Sequence, residues 1–553
     1  MPDSLSLVLA QLNPAVGDIA SNVAKVRVAR LKAAGTGAHL LMTSELYVSG
    51  YPPEDLVLKP SFLDAVRRAV EDLAGETGDG GPAILLGAPW RMESGKPANA
   101  ALLLDGGKIA ATVFKRDLPN YGPFDEKRVF APGPLPAPVD FRGLKLGVMI
   151  CEDMWTPDAA LHLKRHGAQI LLVPNGSPYE SGKPGERMTL AQARVKETGL
   201  PLVYVNQAGG QDELVFDGAS FVLDAKGEIA AQAKAWDEDF LLTHWQASPG
   251  GLAPQPAAKA QIPQAEAAIY HALMLGLRDY VAKNGFPGVV LGLSGGIDSA
   301  LAAVLAADAL GADKVRAVIM PSPYTAQESL DDAAALAANL GCRLDTIPIA
   351  PAMNVFSETL ADVFKGRASG TAEENIQSRC RGLILMAISN AFGPMVLSTG
   401  NKSEMSVGYA TLYGDMAGGF AVLKDLYKTQ LYKVARWRNG HKPALALGPD
   451  GPVIPDNIFA RPPTAELRPD QKDTDSLPPY EILDGILEAL IEKEMSVKEI
   501  VAQGFDTATV RRVWTMLGRA EYKRRQAPPG VKITRRSFGR DRRYPVTNKY
   551  EEG

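Results

Sequence analysis

The first half of the chain alternates short apolar runs with stretches of helical spacing. Leu5–Gln11, His39–Thr43 and Ala83–Pro89 are apolar and have the length of buried strands. Between the first two runs, Ser21–Ala34 places apolar residues among basic ones at the spacing of a helix face. This alternation predicts a layered α/β domain with two sheets. The other elements predicted in this half are helix Ser61–Ala74 and strands Ala100–Leu104, Lys108–Phe114, Leu144–Ile150, Gln169–Val173, Leu202–Asn206, Ala219–Leu223 and Ile229–Ala233.

A stretch poor in large apolar residues separates the two halves. Gln246–Gln264, with the sequence QASPGGLAPQPAAKAQIPQ, is rich in Pro, Ala and Gly, a composition typical of an extended linker. A chain of 553 residues is also too long for one hydrophobic core. We therefore expect two domains, residues 1–245 and 265–553, joined by a linker over 246–264.

The second half begins with a predicted helix, Ala265–Asn284, and then alternates strands with helices. After a first strand and helix come strand Val315–Met320, helix Ser329–Leu340 and strand Leu344–Ile349. This β-α-β-α-β order predicts a doubly wound parallel sheet, with the site at the carboxyl ends of its strands. Further elements are predicted at Thr371–Ser389, Met395–Leu397, Tyr480–Glu492 and Val497–Gln503.

The most specific motif of the chain is Val289–Ser299, VVLGLSGGIDS. An apolar strand leads into the turn Ser294-Gly295-Gly296, and an Ala/Leu-rich helical run begins at Ala300. Free backbone N–H groups and the helix dipole at such a turn favour a bound phosphate. The motif lacks the spacing and the lysine of a Walker loop. Asp298 and Ser299 would be helix caps in a plain turn, but the complete string favours phosphate binding, with Asp298 as a magnesium ligand.

Composition and charge narrow the class of protein. The chain is 46% apolar and 22% charged, with a formal net charge of −4, so it has no overall attraction to nucleic acid or anionic membranes. Three scattered cysteines are too few for a disulfide framework or a zinc site and fit a reducing cytoplasm. The N-terminus shows no secretory leader, and no apolar run reaches the length of a membrane span. We therefore expect a cytoplasmic protein without nucleic-acid or membrane partners.

Three predicted strand ends in the first half carry unusual residues. Glu45 follows HLLMT, Lys115 follows TVF and Cys151 follows LGVMI. A nearby lysine favours the thiolate form of a cysteine, and a carboxylate can accept the proton. Taken singly, the same three residues are more simply a cap, a solvated charge and a core thiol.

The first half resembles the carbon–nitrogen hydrolase (nitrilase/amidase) family, because it holds TSELYVSGYPPEDL, VFKRDLPNYGPFDEKRVFAPG and GVMICEDMW in that order. The resemblance implies an α-β-β-α sandwich. It also implies that Glu45 is the general base, that Cys151 is the nucleophile, and that Lys115 stabilises the oxyanion. Glu126 corresponds to a second glutamate that orients the lysine.

The glutaminase branch of this family implies that the amide substrate is glutamine. Tyr121 in LPNYGPF, and Ser177 and Lys183 in NGSPYESGK, match its glutamine-binding positions. By this resemblance Lys183 pairs with the α-carboxylate, and Ser177 forms a hydrogen bond with the amino-acid end. From the residues alone, NGSPYESGKPG is equally a mobile Gly/Ser/Pro loop.

The second half resembles the ATP-pyrophosphatase enzymes, and more closely the NAD synthetase family, through SGGIDS, TAEENIQSRCRG and STGNKSEMSVGYATLYGDMAGG. Together with the N-terminal amidase, the resemblance is to glutamine-dependent NAD synthetases, with an adenine nucleotide alpha hydrolase-like fold in the second domain. The resemblance implies that ATP adenylates the nicotinate carboxylate of deamido-NAD and that ammonia then displaces AMP. It places Mg²⁺ at Asp298 and Glu404 and makes Lys428 the lysine that contacts phosphate.

The same resemblance assigns residues to the two nucleotides. The ATP-binding positions are Gly292, Leu293, Ser294, Gly295, Gly296, Ile297, Asp298, Ser299 and Thr399. The deamido-NAD-binding positions are Asn375, Glu404, Asp415 and Lys523. Pro462–Pro479 is implied to close over the site once substrates bind, although its composition equally fits a disordered surface loop.

Several alternatives remain open at this point. The basic tail EYKRRQAPPGVKITRRSFGRDRRYP by itself suggests nucleic acid, but the negative net charge favours contacts with a dinucleotide. Rival functions are an amidase fused to another adenylating ligase, such as one that modifies tRNA, and a nucleotide-binding regulatory protein. The family resemblance implies a homo-oligomer. Because free ammonia is easily lost to solvent, we also expect a covered path between the two sites.

Overall fold

The structure is a computed structural model that describes residues 4–248, 251–368 and 370–550. The chain divides into two units, residues 1–263 and 264–553. Among the described residues, no helix is both long and apolar enough to cross a membrane.

The first unit contains two large sheets. Its strands are β1 Ser4–Gln11, β2 Leu40–Met42, β3 Ala83–Arg91, β4 Pro97–Asp105, β5 Lys108–Phe114, β6 Val139–Phe141, β7 Leu144–Val148, β8 Ile170–Asn175, β9 Leu202–Asn206, β10 Ala208–Gln211, β11 Leu214–Asp217, β12 Phe221–Leu223, β13 Ile229–Gln232, β14 Asp239–Ser248 and β15 Gly251–Pro254. Its helices are α1 Ile19–Gly35, α2 Pro60–Glu76, α3 Glu126–Val129, α4 Pro157–Arg165 and α5 Lys183–Thr198. The sheets have the strand orders β15-β14-β1-β2-β3-β4-β5 and β13-β12-β9-β8-β7-β6.

The two sheets bury a shared core, and helices cover their outer faces. Leu7 and Leu9 of β1 belong to this core together with Leu172 of β8. Val8 of β1 instead packs with Val26 of α1, because successive side chains of a strand point to opposite faces. Helices α4 and α5 cover the outer face of the second sheet. The first unit is therefore the predicted α-β-β-α sandwich.

Part of the predicted linker belongs to a sheet. β15 pairs antiparallel with β14, with Trp245 opposite Pro254. Leu252 is buried in the core between the two sheets, and the Pro- and Gly-rich composition around it concealed this strand. The prediction of a linker over 246–264 is thus wrong for β15 and for the last residues of β14, and residues 249 and 250 lie outside the described ones.

The second unit is built on a parallel sheet. Its strands are β16 Val289–Gly292, β17 Val315–Ile319, β18 Arg343–Thr346, β19 Met395–Ser398 and β20 Phe420–Ala421. Its helices are α6 Ala265–Lys283, α7 Ile297–Leu310, α8 Gln327–Leu340, α9 Ala350–Leu360, α10 Thr371–Phe392, α11 Lys402–Val407, α12 Lys428–Gly440, α13 Asp456–Ala460, α14 Tyr480–Ile491, α15 Val497–Ala502, α16 Thr507–Arg519 and α17 Glu521–Arg524.

The strand order β18-β17-β16-β19-β20 places β16 at the centre of this sheet. All four neighbouring pairs are parallel, which confirms the predicted doubly wound sheet. The chain crosses to one side of β16 for β17 and β18 and to the other side for β19 and β20. Ligands bind at the carboxyl end of the strand where such an order reverses, and the phosphate loop begins at that end of β16.

Candidate active sites

Glu45, Lys115 and Cys151 each lie just after a strand of the first unit. Glu45 comes after β2, Lys115 directly follows β5, and Cys151 begins a 3₁₀ turn after β7. The Nζ atom of Lys115 lies 2.7 Å from Oε1 of Glu45 and 2.9 Å from Oε1 of Glu126. All three of these charged side chains are buried. The lysine therefore bridges two glutamates, and the contact expected for Glu126 is present.

The carboxylate of Glu45 is fixed on both oxygens. The amide nitrogen of Asn99 donates to Oε1 at 2.7 Å, and the backbone N–H of Gly176 donates to Oε2 at 2.7 Å. A Cβ atom at Gly176 would lie 2.8 Å from Cγ of Tyr51, so only glycine lets the backbone come this close. The orientation of Glu45 is thus set before any substrate binds.

Cys151 has a strained backbone, and Asp153 fixes its turn. The φ angle of Cys151 is +48°, a value that side chains other than glycine rarely adopt and that is common at functional sites. Asp153 accepts hydrogen bonds from the backbone N–H groups of Ile150, Arg116 and Asp117 at 2.9, 3.0 and 2.8 Å. One carboxylate therefore joins the turn of the cysteine to the segment that follows the lysine.

Burial governs the ionisation of this site. It raises the pKa of the Cys151 thiol well above its usual value, and Glu45 adds to the rise while Lys115 opposes it. Burial works against the charge of Lys115, but Glu126 and Glu45 raise its pKa well above the ordinary value. Burial also raises the pKa of Glu126 to about 7. The resting site therefore holds a neutral thiol near a protonated lysine, and the thiol requires a base.

Tyr121 and Lys183, both predicted to bind glutamine, contact the same aromatic ring. Tyr121 meets Phe124 edge-to-face with ring centroids 5.5 Å apart. The Nζ atom of Lys183 lies 5.2 Å from the centroid of the Phe124 ring. Lys183 begins α5, so the interpretation of this stretch as a mobile loop is wrong from Lys183 onward. Glycine and proline flank the lysine, and they obscured the start of the helix.

Ser177, the third predicted glutamine residue, is buried and held by the same helix. Asn206 accepts from its backbone N–H and donates to its carbonyl, both at 3.0 Å. Arg187 of α5 pairs with Asp217 at 2.8 Å and donates to the Ser177 carbonyl at 3.4 Å. Helix α5 thus positions both Ser177 and Lys183.

In the second unit, the predicted phosphate loop is a strand–turn–helix junction between β16 and α7. The Ser299 hydroxyl accepts from the Ser294 backbone N–H at 3.2 Å and lies 3.1 Å from the Ser294 hydroxyl. Gly295 has a φ of +78°, and a Cβ there would lie 2.3 Å from the carbonyl oxygen of Ser329. Two hydroxyls therefore lie together at a helix N-terminus, where phosphate binding is favoured.

The other predicted ATP positions lie around this loop with different exposures. Leu293 and Ile297 have buried side chains, which leaves only their backbone groups for a ligand. Gly292 is the last residue of β16, and Thr399 directly follows the neighbouring strand β19. Gly296 donates its N–H to the Ser294 hydroxyl at 3.2 Å.

Asp298, Glu404 and Lys428 converge beside the phosphate loop. The Nζ atom of Lys428 forms a short ion pair with Asp298 and lies 3.3 Å from Oε1 of Glu404. The side-chain amide of Asn401 donates to Asp298 at 2.7 Å. Its oxygen accepts from the backbone N–H of Glu404 at 3.0 Å and so caps α11, the helix that carries Glu404. Burial, and then the charge of Asp298, raises the pKa of Glu404 to about 8. The lysine and the capping asparagine therefore hold two carboxylates together.

These two carboxylates fit a magnesium ion that also binds phosphate. Mg²⁺ is usually held by one or two carboxylates, with water and substrate phosphates as the remaining ligands. No group of three or more His, Cys, Asp or Glu side chains suited to a metal occurs in the part of the chain that the structure describes. Asp298 and Glu404 therefore suit a metal that arrives with a nucleotide and not one held by protein ligands alone.

Asn375, Asp415 and Lys523, predicted to bind deamido-NAD, surround one loop. Thr411 donates its backbone N–H to Asp415 at 2.6 Å and its hydroxyl to the Asn375 side-chain oxygen at 2.9 Å. Lys523 donates to the carbonyl of Gly408 at 2.8 Å. Burial raises the pKa of Asp415 to about 6. Burial also lowers the pKa of Lys523, and the charge of Asp415 opposes this decrease. The three side chains thus meet at residues 408–415.

Residues 461–480 pack over the phosphate loop and the lysine beside it. Arg461 donates to the Gly295 carbonyl at 3.1 Å. At the other end, Asp473 is buried and accepts from the Tyr480 hydroxyl at 2.8 Å. The Nζ atom of Lys428 lies 5.3 Å from the centroid of the Tyr480 ring. These contacts oppose the interpretation of 462–479 as a disordered loop and favour a segment that covers the site.

Much of the basic tail is paired with acidic residues of its own unit. Lys532 lies 2.8 Å from Asp541, and Arg542 lies 3.0 Å from Glu521. Arg536 pairs with Glu494. Two of these acidic partners, Glu521 and Asp541, belong to the tail itself. Contact between the tail and a dinucleotide stays a prediction.

Sequence reasoning missed several residues that shape the two sites. Asn99 is the one polar side chain in the run ANAALLL, and that isolation was an available signal. Asn401 precedes Lys402-Ser403-Glu404, the spacing of a capping box. Asp153 carried no comparable signal, because its partners are backbone groups of a distant segment.

Comparison with known proteins gives two family matches. A carbon–nitrogen hydrolase family model matches residues 7–251. A NAD synthase family model matches residues 269–527. These ranges contain all the predicted site residues.

Full-length relatives combine both families in one chain. The glutamine-dependent NAD(+) synthetase of Rhodobacter capsulatus is 49% identical over 560 residues, which cover 100% of both chains. The enzyme of that name from Thermotoga maritima is 44% identical over 583 residues and 99% of each chain. A structure of glutamine-dependent NAD+ synthetase from Acinetobacter baumannii, in complex with ADP, has a TM-score of 0.79 and 42% identity over 100% of both chains. The chain belongs to the family of glutamine-dependent NAD(+) synthetases.

Proposed function

We propose that the first unit hydrolyses glutamine to glutamate and ammonia, and that the second unit uses the ammonia to convert deamido-NAD into NAD. The second reaction consumes ATP and releases AMP and pyrophosphate. The observation that carries the proposal is the buried Lys115 between Glu45 and Glu126 in a chain that also has a complete phosphate loop. A protein that only senses glutamine or ATP does not require both sets of residues.

Glutamine hydrolysis uses a thioester. Cys151 Sγ attacks the side-chain amide carbon, and Glu45 takes the thiol proton. Lys115 stabilises the negative charge that develops on the carbonyl oxygen. Glu45 then passes the proton to the departing nitrogen, which leaves as ammonia. A water molecule, deprotonated by Glu45, attacks the thioester and releases glutamate and the free thiol.

NAD formation proceeds through an adenylate. The nicotinate carboxylate of deamido-NAD attacks the α-phosphorus of ATP, and pyrophosphate leaves. Ammonia attacks the resulting acyl carbon, and AMP leaves. Ser294, Ser299 and the loop N–H groups hold phosphate oxygens, and Lys428 offsets the charge of the leaving pyrophosphate. Asp298 and Glu404 would hold Mg²⁺, which would supply positive charge to neutralise the phosphates.

The positions of four further side chains support their proposed contacts with ATP or deamido-NAD. Thr399 contacts ATP from the end of the strand beside β16. Asn375, Asp415 and Lys523 bind deamido-NAD together with Glu404. The loop at residues 408–415, which contacts the first three, supports their assignment to a single ligand.

We also place the protein in the cytoplasm as a homo-oligomer. Its three cysteines are free, as is usual in a reducing compartment. Helix α9 has no buried residue among those described. Val355 in this helix is 60% exposed, and Val363, three residues beyond its end, is 76% exposed. A second copy of the chain would cover this apolar face. Light scattering on the wild type and on Val355→Glu tests this: a monomeric variant supports it, and a monomeric wild type contradicts it.

The test of the main proposal compares two nitrogen sources. NAD formation from deamido-NAD, ATP and Mg²⁺ is measured with glutamine or with ammonium chloride. We expect wild type to use both and Cys151→Ala to use only ammonium, with Cys342→Ala as the matched control that keeps both activities. If wild type makes no NAD from ammonium, the synthetase assignment is wrong. If Cys151→Ala still uses glutamine, the nucleophile assignment is wrong.

A further inference from the structure

A cluster of buried charged side chains adjoins the phosphate site proposed for the second unit. Its centre is Lys402, the first residue of α11, whose side chain is fully buried. The Nζ atom of Lys402 lies 2.8 Å from Asp425 and 2.5 Å from Glu492. It also donates to the Thr534 hydroxyl at 2.6 Å and to the Arg536 carbonyl at 2.9 Å. Acceptors of the protein thus enclose this ammonium group, and it is not available to a nucleotide.

The cluster holds residues 533–536 of the C-terminal tail, which we call the tail segment. Asp425 accepts hydrogen bonds from the first two backbone N–H groups of the segment at 2.8 and 2.7 Å. Glu492 accepts from the last of its backbone N–H groups at 2.9 Å. The segment is therefore held at both ends. It lies outside residues 269–527, the range that the NAD synthase family model matches.

One side of the cluster fixes the start of α11. Lys402 directly follows Asn401, which donates to Asp298 at 2.7 Å and accepts from the backbone N–H of Glu404 at 3.0 Å. Because one peptide bond joins Lys402 to Asn401, a displacement of the lysine also moves the asparagine. The asparagine in turn contacts both acidic residues of the proposed magnesium site.

The other side of the cluster fixes the start of α12. Tyr427 directly precedes Lys428, the residue that begins this helix. The Tyr427 hydroxyl donates to Glu492 at 3.3 Å, and the centroid of its ring lies 5.0 Å from Nζ of Lys402. The backbone N–H of Lys402 donates to the carbonyl of Leu426 at 2.9 Å. The cluster therefore joins the starts of α11 and α12.

The ionisation of the cluster agrees with a lasting network of ion pairs. Burial raises the pKa of Asp425, but Lys402 and Lys532 outweigh this effect and keep the pKa below its usual value. Burial, followed by the charges of Glu492 and Asp425, raises the pKa of Tyr427 well above its usual value. At neutral pH the carboxylate is thus charged and the phenol is a donor. Removing one partner from such a network is costly, because it leaves a buried charge uncompensated.

We propose that Lys402 and the tail segment are positioning residues for the second reaction, which set the geometry of Asp298, Glu404 and Lys428. Through them the C-terminal tail supports ATP binding without contacting the nucleotide. This inference rests on the proposed synthetase function. It adds to that function a set of residues that act only through the groups of the site.

The test uses Thr534→Val, which keeps the shape of the side chain but removes the hydroxyl that Lys402 and Asp425 share. The Kd for ATP is measured by calorimetry with Mg²⁺ present, together with thermal unfolding of the protein without ligands. We expect the Kd to rise about 2- to 10-fold, as for one lost hydrogen bond, and Thr534→Ser to restore the wild-type value. Thr515→Val is the matched control, because it removes an exposed hydroxyl that donates to a backbone carbonyl within α16 of the same unit.

A combined variant shows whether the cluster acts through the acidic pair. Asp298→Asn alone should raise the Kd for ATP in the presence of Mg²⁺. Thr534→Val should then have a smaller effect in Asp298→Asn than in wild type, because residues that act through one network are not additive. Lys402→Met removes the cation itself and should raise the same Kd about 10- to 100-fold. If this variant does not fold, the Thr534 variants decide the outcome.

The proposal is overturned if Thr534→Val lowers the unfolding temperature but leaves the Kd for ATP unchanged, since that result gives the cluster a structural role alone. It is also overturned if Thr534→Ser behaves like Thr534→Val, or if the effects of Thr534→Val and Asp298→Asn multiply in full. A wild type that makes no NAD from ammonium instead contradicts the proposed function. An unchanged Kd in Asp298→Asn contradicts the proposed magnesium site, and both results are obtained before the tail variants are compared.

Discussion

Lys115 and Glu45 form an ion pair with a 2.7 Å separation, and solvent reaches neither side chain. A buried charge without a partner is costly, and the attraction between two buried charges offsets their desolvation only when the contacts are good. Here Glu126 and Asn99 supply the additional contacts. The pair is therefore part of the scaffold of the candidate site as well as part of its proposed chemistry.

Replacing the lysine should destabilise the first unit. Lys115→Met leaves two buried glutamates without their cation, which costs about 3–5 kcal/mol. Lys25→Met is the control, because Lys25 pairs with Glu238 at the same 2.7 Å but both side chains are 42% exposed; such a pair is worth about 0–1 kcal/mol. Chemical unfolding of the two variants gives the comparison. Equal effects would show that burial does not control the strength of this pair.

The pH dependence of glutamine hydrolysis should change when Glu126 is replaced. Burial raises the pKa of Glu126 to about 7, so it is neutral at lower pH and becomes charged as the pH rises through 7. The charged form adds a second anion beside Lys115. We therefore expect kcat/KM for glutamine to rise through about pH 7 in wild type, with a flatter profile at lower activity in Glu126→Gln. An unchanged inflection in the variant assigns the titration to another group.

The sequence predicted the two folds and the main site residues because their signals are local. Cys151 and the phosphate loop lie in continuous motifs that follow apolar strands. The partners of Glu45 lie 54 and 131 positions away at Asn99 and Gly176, and only the strand register brings them together. The basic tail shows the same limit, since its composition does not reveal that Arg536 pairs with Glu494.

Gly295, the glycine of the phosphate loop that has a positive φ, should be essential for the use of ATP. A Cβ at Gly295 would lie 2.3 Å from the Ser329 carbonyl, so Gly295→Ala must displace the loop. We expect a rise in the KM for ATP with either nitrogen source, of about tenfold or more for a displaced phosphate site. Gly285→Ala is a matched control, because its φ is +73° but nothing lies within 4 Å of the added Cβ. If both variants behave alike, backbone strain and not the close approach explains the effect.

The magnesium requirement should respond to the paired carboxylates of the second unit. Asp298 and Glu404 already share Lys428 as a partner, and a metal that binds to them must compete with that lysine. Asp298→Asn and Glu404→Gln each remove one carboxyl ligand, so we expect the Mg²⁺ concentration for half-maximal ammonium-dependent synthesis to rise about tenfold or more. Asp313→Asn, at an exposed position of the same unit, serves as the control. Chelation of Mg²⁺ should stop NAD synthesis but leave glutamine hydrolysis active, since the mechanism proposed for the first unit uses a cysteine and a lysine and no metal. Loss of both activities on chelation would contradict the prediction that only NAD synthesis requires Mg²⁺.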